Sequence, residues 1–343
     1  NWIAELLENF RLSVSSLNKF LRCPLSFYYE NVLGVPVLAS EEASFGTAMH
    51  NALQRGFEKM LRSPQPHTPP APKGEPHGTT AKGEQVRKQF PPPEEFVQYF
   101  EQEMQKLQGF FSRKEYGRRL ALGRQYLQAY VERNACRWQE NVLVEQEFRN
   151  VVVEGVPLTG KIDRLDLGGS GSLVSSPSGE VGGEGVEPWG ASLEAHLVDY
   201  KTGSHDPSKL KRPVAPDPKT EAIEPPNSSL IPHPSSLGGA YWRQLVFYKI
   251  LFENWRNNPR RVTSAEISYL EPDAKGEFPS KIIAFEPGDV PFLKKLIRET
   301  YDKIMRQEFY LGCGEASCAW CSFLLRQGQV DSFAEVENER LDD

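Results

Sequence analysis

No stretch of this chain stays apolar long enough to cross a bilayer. Its longest hydrophobic run, 245–252, is interrupted by Lys249 and reads as part of an amphipathic helix. No leader of the secretory type opens the sequence. Five cysteines in 343 residues are too few for a secreted disulfide framework, and the expected location is cytoplasmic. No Gly-x4-Gly-Lys-Ser/Thr phosphate loop occurs in the sequence, so a nucleotide-driven motor of that kind is not encoded within it. An overall basic surface is also missing. The net charge is −6 at pH 7, which argues against a general nucleic-acid coat but leaves room for a local cationic groove. Arg113, Lys114, Arg118, Arg119 and Arg124 form one such concentration. The sequence begins at Asn1 rather than methionine and reads as an excised piece of a longer chain.

What is present centres on residues 193–201, an apolar run that ends Val198-Asp199-Tyr200-Lys201-Thr202-Gly203. Side chains alternate along a strand, so Asp199 and Lys201 are predicted on one face and Tyr200 on the other. A second carboxylate, Asp163, sits in another strand-like run within Gly160-Lys161-Ile162-Asp163-Arg164. Two acidic strand residues and a lysine can hold a hard divalent cation and place a water beside a phosphodiester. The competing reading is a surface salt bridge at a strand end.

Around these strands the periodicity is first helical. Helices are expected over 13–33, with Pro24 restarting the helix and Cys23 at the joint. Others are expected from near Phe45 through His50 to Met60, then from Glu94, and over 113–138, where Cys136 is expected as a small buried residue. His50 falls on or beside a buried stripe. The period then changes to two, giving antiparallel strands through 142–153 and 157–167. A helix over 239–255 puts Gln244 and Tyr248 on one face. Strands at 262–270 and 281–285 and a last long helix follow. Segments 63–93, 168–191 and 204–236 are rich in Pro, Gly or Ser and read as a disordered insertion, a hairpin loop insertion and a mobile segment. Residues 324–343 form a polar tail. One α/β domain over 12–323 accounts for the rest, with strands in the centre and helices on either side.

Six motifs in order carry a resemblance. They are Leu17-Asn18-Lys19-Phe20-Leu21-Arg22-Cys23-Pro24 with Phe27-Tyr28-Tyr29, then Phe45-Gly46-Thr47-Ala48-Met49-His50, then Glu145-x2-Phe148. After these come Gly160-Lys161-Ile162-Asp163-Arg164, Val198-Asp199-Tyr200-Lys201-Thr202-Gly203 and Gln244-x3-Tyr248. This series resembles the PD-(D/E)XK nuclease superfamily, and within it the RecB/AddB-type nuclease domains, above all the C-terminal nuclease of UvrD/PcrA-like helicases. The resemblance implies a restriction-endonuclease-like α/β core: a central mixed sheet flanked by helices, with N- and C-terminal helical parts packed together. It implies a Mg²⁺- or Mn²⁺-dependent deoxyribonuclease, an exonuclease on single-stranded DNA in helicase-coupled repair and recombination. The motor would lie in the same longer chain or in a partner, with no membrane involved.

By the same resemblance His50, Asp163, Asp199 and the backbone carbonyl of Tyr200 are the metal ligands. Lys201 orients the attacking water and offsets charge on the phosphate. Gln244 and Tyr248 contact substrate or scaffold, with plain helix-to-sheet packing as the competing reading. Glu145 is a further carboxylate for a second metal or for support, or a surface charge. Two rival functions stand: a catalytically silent DNA-binding or scaffold domain, and a free-standing iron–sulfur single-strand exonuclease of the CRISPR-adaptation type.

Relatives of this fold join their chain ends through one early and three late cysteines on a [4Fe–4S] cluster. Cys23, Cys313, Cys318 and Cys321 fit that count. Their late spacing, Cys-x4-Cys-x2-Cys, departs from the relatives' Cys-x2-Cys-x5-Cys, and Gln327 stands where a further cysteine would fall. A zinc ion on the same four thiolates is the second reading, and unligated thiols are the third.

Overall fold

The computed structural model describes residues 2–63, 90–168, 193–214 and 234–327. Most of the three expected insertions and of the tail lies outside these described residues. Residues 207–210, within the segment expected to be mobile, form a short 3-10 turn, and Arg212 pairs with Asp289 at 3.0 Å.

Helix α1 (Trp2–Leu7) and α2 (Val14–Arg22) open the fold. The Ser13 hydroxyl accepts from the Ser16 N–H at 3.1 Å and starts α2. Cys23 then takes an extended backbone, ending α2 and capping α3 (Pro24–Phe27). Pro24 sits at the first helical position, where its missing N–H costs nothing. A π-helical turn over Tyr28–Val32 follows. Helix α4 (Glu41–Arg62) begins earlier than its apolar pattern predicts, because Ser40 caps the Ala43 N–H and Glu41 and Glu42 favour its positive end. Helix α5 (Pro93–Lys106) and α6 (Arg113–Asn134) complete this layer.

The expected helix over 113–138 stops at Asn134. The chain leaves it through a 3-10 turn that brings Trp138 inward against Phe57 and Phe96, with ring centroids 4.8 and 5.7 Å apart. The large ring takes the buried place, and Cys136 is exposed rather than buried. The cationic concentration on α6 is largely neutralised. Arg118 and Arg119 pair with Glu115 and Glu42, and Arg124 with Glu101.

Strands β1 (Val142–Val153) and β2 (Val156–Leu167) form a hairpin whose two-residue turn, Glu154-Gly155, has both φ positive. Strand β3 (Glu194–Lys201) pairs antiparallel with β2. Helix α7 (Ala240–Glu253) then crosses over to β4 (Arg261–Tyr269), parallel to β3, and β5 (Ser280–Ala284) closes the antiparallel edge. The result is one mixed five-stranded sheet in the order β1-β2-β3-β4-β5. Helix α8 (Asp289–Met305) and α9 (Ala319–Arg326) end the described chain.

Two apolar cores cover the two faces of the sheet. Phe45, Phe57, Phe96, Phe100 and Tyr130 of α4, α5 and α6 bury Val198 and Tyr200 from one side. Leu17, Trp242, Leu245, Phe252 and Ile297 of α2, α7 and α8 bury Ile162 and Leu197 from the other. No described helix is long and apolar enough to cross a membrane.

Candidate functional site

Strands β2 and β3 pair as far as Arg164 and Val198, then part. One step further stand Asp163 on β2 and Asp199 on β3. In place of strand pairing, Asp163 Oδ2 accepts the Tyr200 N–H at 2.9 Å. His50 Nδ1 of α4 comes to 3.4 Å from the same oxygen. Helix α4 can come this close because of Gly46, where an added Cβ would lie 2.8 Å from Thr202 Oγ1.

Glu145 enters from β1, opposite Asp163, between the Val144–Arg164 and Gln146–Ile162 pairs. Its φ of 49° is left-handed, a conformation that costs a glutamate about 1–3 kcal/mol. Its carboxylate ion-pairs with Lys161. His50, Glu145 and Asp163 thereby each offer a ligand atom within 4.8 Å of the others.

Asp199 lies beside this trio on the α7 side and is only 1% exposed. Gln244 Nε2 donates to Asp199 Oδ1 at 3.0 Å and to the Tyr248 hydroxyl at 2.9 Å. The Lys201 ammonium ion-pairs with Asp199 Oδ2. Gly160 lets α7 close on β2, since a Cβ there would meet Leu251 Cδ1 at 2.6 Å. Asn18 of α2 holds the same helix by accepting from Arg243 Nε at 2.7 Å, one residue from Gln244. Tyr200 points to the opposite face, where its hydroxyl accepts from Arg164 at 2.5 Å and Arg164 pairs with Asp166 at 2.8 Å. That buried network locks β2 to β3 just behind the point where they part.

Burial pushes the Asp163 carboxyl up to about 6, and neighbouring Glu145 adds to the rise against the pull of Lys201. Burial does the same to Asp199, also to about 6, with Asp163 as the repelling neighbour and Lys201 opposing. Burial works against the Lys201 charge, but Asp199 and Asp163 outweigh it and hold the amine above its usual value. Burial, then Lys201, lowers His50, which keeps its imidazole neutral and its lone pair available.

This donor set fits a hard divalent cation. It offers one neutral imidazole and carboxylate oxygens, and it crowds negative charge that a cation would relieve. Around neutral pH two ammonium groups face these three carboxylates, Lys201 on Asp199 and Lys161 on Glu145.

The cysteines gather at the far end of the chain's path. Cys23 and Cys321 sulfurs stand 3.8 Å apart, as do Cys313 and Cys321, and Cys318 and Cys23. All four lie within 4.8 Å of one another. Trp320 stacks on Tyr29 at 4.3 Å and donates to Glu30 at 2.9 Å, so α9 is fastened beside α3.

Of the residues read from sequence as metal ligands, His50 and Asp163 come together with Glu145, whose carboxylate is less exposed than a surface charge, while the Asp199 carboxylate stands outside that trio on Lys201 and Gln244. Tyr200 reaches Asp163 through its backbone N–H; its carbonyl makes no contact with these side chains among the described hydrogen bonds. Asn18, Gly46, Gly160 and Arg243 were not singled out individually by sequence reasoning. Their residue types give no sign that they position α4 and α7.

Residues 11–175 match the family model described as PD-(D/E)XK nuclease superfamily. No curated protein matches the chain in sequence. Among solved structures, a "Putative exonuclease" from Eubacterium rectale is similar in shape, with a TM-score of 0.48 and 10% identity over 93% of this chain and 90% of that one. The five-stranded mixed sheet with its flanking helices is a restriction-endonuclease-like fold, and residues 11–175, just under half of the chain, carry the similarity to the PD-(D/E)XK nuclease superfamily.

Proposed function

We propose that this protein is a divalent-metal-dependent deoxyribonuclease that hydrolyses phosphodiester bonds, with Mg²⁺ or Mn²⁺ as its metal. The observation that carries this reading is the convergence of His50, Glu145 and Asp163 within 4.8 Å, with the Asp199–Lys201 pair beside them. His50, Asp163 and Asp199 would hold the ion, with Glu145 and the Tyr200 carbonyl as further ligands. A cation held there would lower the pKa of water and neutralise phosphate oxygens. The chain's own residues supply the rest. Lys201 provides a fixed positive charge beside the scissile phosphate and orients the attacking water. Gln244, braced by Tyr248, keeps Asp199 from rotating away. The low pKa of His50 keeps it a ligand rather than a competing cation.

The reading extends to exonuclease action on single strands delivered by a helicase motor in DNA repair and recombination, because the motif series resembles helicase-associated nuclease domains. Contacts to DNA are mainly to phosphates, with little sequence preference. The four cysteines hold a thiolate-ligated metal centre that joins the chain ends.

The test is incubation of labelled single- and double-stranded DNA with Mg²⁺ or Mn²⁺, comparing wild type with Asp199→Ala and Lys201→Ala. Metal-dependent cleavage by wild type alone supports the reading. Undiminished cleavage by the variants rejects the site, and tight DNA binding without cleavage by wild type rejects the activity.

A further inference from the structure

We propose that Cys23, Cys313, Cys318 and Cys321 hold one tetrahedral zinc ion rather than an iron–sulfur cluster, and that this ion clamps segment 313–326 onto the first helices. The proposal rests on the reading above only in taking these thiols to bind metal at all.

Size separates the two kinds of centre. Four thiolates sharing one zinc at bonds of about 2.3 Å stand at the corners of a tetrahedron with edges of about 3.8 Å. In a [4Fe–4S] cluster each thiolate binds a different iron. Every sulfur–sulfur distance then grows by a full iron–iron edge, to roughly 6 Å or more, since the thiolates radiate from separate corners of the cube. A [2Fe–2S] cluster keeps two thiolates on each iron but separates the two pairs by its own width. Here three sulfur–sulfur distances are 3.8 Å and no pair exceeds 4.8 Å. The cage is the size of an ion and too small for a cluster.

The surroundings agree. Cys318-x2-Cys321 has the spacing of a structural zinc site, and Cys313 supplies the ligand that Gln327 cannot. The Ser26 N–H points at Cys23 Sγ at 3.4 Å, and the Ser26 hydroxyl lies 3.4 Å from Cys318 Sγ, so donors already face the thiolates. Cys23 and Cys321 are fully buried, which closes the site on the protein side. All four coordination positions are filled by the chain, as in structural rather than catalytic zinc sites. Three of the ligands flank or lie in α9 and the fourth caps α3, so the ion fastens two stretches of chain nearly three hundred positions apart in sequence.

The test is metal and sulfide analysis of full-length protein, expressed with both iron and zinc supplied and purified without oxygen. One zinc per chain and no acid-labile sulfide is the expected result. Exchange of the ion for Co²⁺ should then give the intense thiolate-to-cobalt charge-transfer band of a tetrahedral site, on wild-type protein. Cys313→Ser should lose its zinc to a chelator that leaves wild type loaded. Exposed Cys136 should react with a thiol reagent in every sample, and the other four cysteines only after the ion is removed. Iron with an equal amount of sulfide, a single iron without sulfide, or four reactive thiols in metal-free native protein would each overturn the proposal. DNA cleavage is scored separately. Zinc bound without cleavage sinks the nuclease reading alone, and cleavage without zinc sinks this one alone.

Discussion

Replacing Asp163 by Asn should stabilise the metal-free protein while abolishing DNA cleavage. Asn keeps the shape and its side-chain oxygen can still accept the Tyr200 N–H that Asp163 Oδ2 accepts. It cannot ionise. In the wild type, burial raises this carboxyl from its ordinary 3.8 to about 6. A displacement of that size is worth about 3 kcal/mol between the neutral and ionised forms. The sign follows from proton linkage. Between pH 4 and 6 the folded state binds more protons at this site than the unfolded chain, so wild-type stability contributed by Asp163 falls as pH rises. The cost is complete above about pH 6 and absent below the unfolded value. In chelator, the variant should therefore exceed wild type by up to about 3 kcal/mol at pH 7.5, with the gap closing toward pH 4. Saturating Mg²⁺ should restore wild type at pH 7.5 and leave the variant unchanged. Urea denaturation at several pH values, with and without metal, reads all of this. A variant less stable than wild type at pH 7.5, or a difference independent of pH, would refute the electrostatic account of the site.

Gln244→Ala takes from the buried Asp199 carboxylate the donor that α7 supplies; metal-dependent cleavage should fall about 10–100-fold, and urea titration of the metal-free protein should show a loss of about 1–3 kcal/mol. Gly46→Ala forces a Cβ to 2.8 Å from Thr202 Oγ1 and moves α4 with His50; it should cost about 1–3 kcal/mol in urea titration and reduce cleavage as well. Binding to single-stranded DNA, measured by anisotropy without divalent metal, should weaken linearly on a log–log plot as salt rises, with little change between sequences. Salt-independent binding would contradict a phosphate-contacting groove.

The cross-strand address of the site is visible in the sequence because strand alternation is a local rule. Asp199 and Lys201 share a face and Tyr200 turns away, whatever the rest of the chain does. The break at Pro24 is equally local, since a proline cannot continue the ladder behind it, and it leaves Cys23 to cap the next helix. Cys136 shows where local rules end: helical periodicity placed it inside, but the helix gave way to Trp138, whose larger ring gains more from burial.

The sequence by itself determined the order of elements, the carboxylates and the lysine on their strands, and the four cysteines as a group. Only the tertiary structure decided which carboxylates meet. That depends on β2 and β3 parting after Arg164 and Val198, and on a left-handed Glu145 turned toward Asp163. It depends equally on glycines that admit α4 and α7. It also decided the size of the thiol cage. Distances between residues far apart in sequence are set by how layers pack, and side-chain types alone carry no record of that packing.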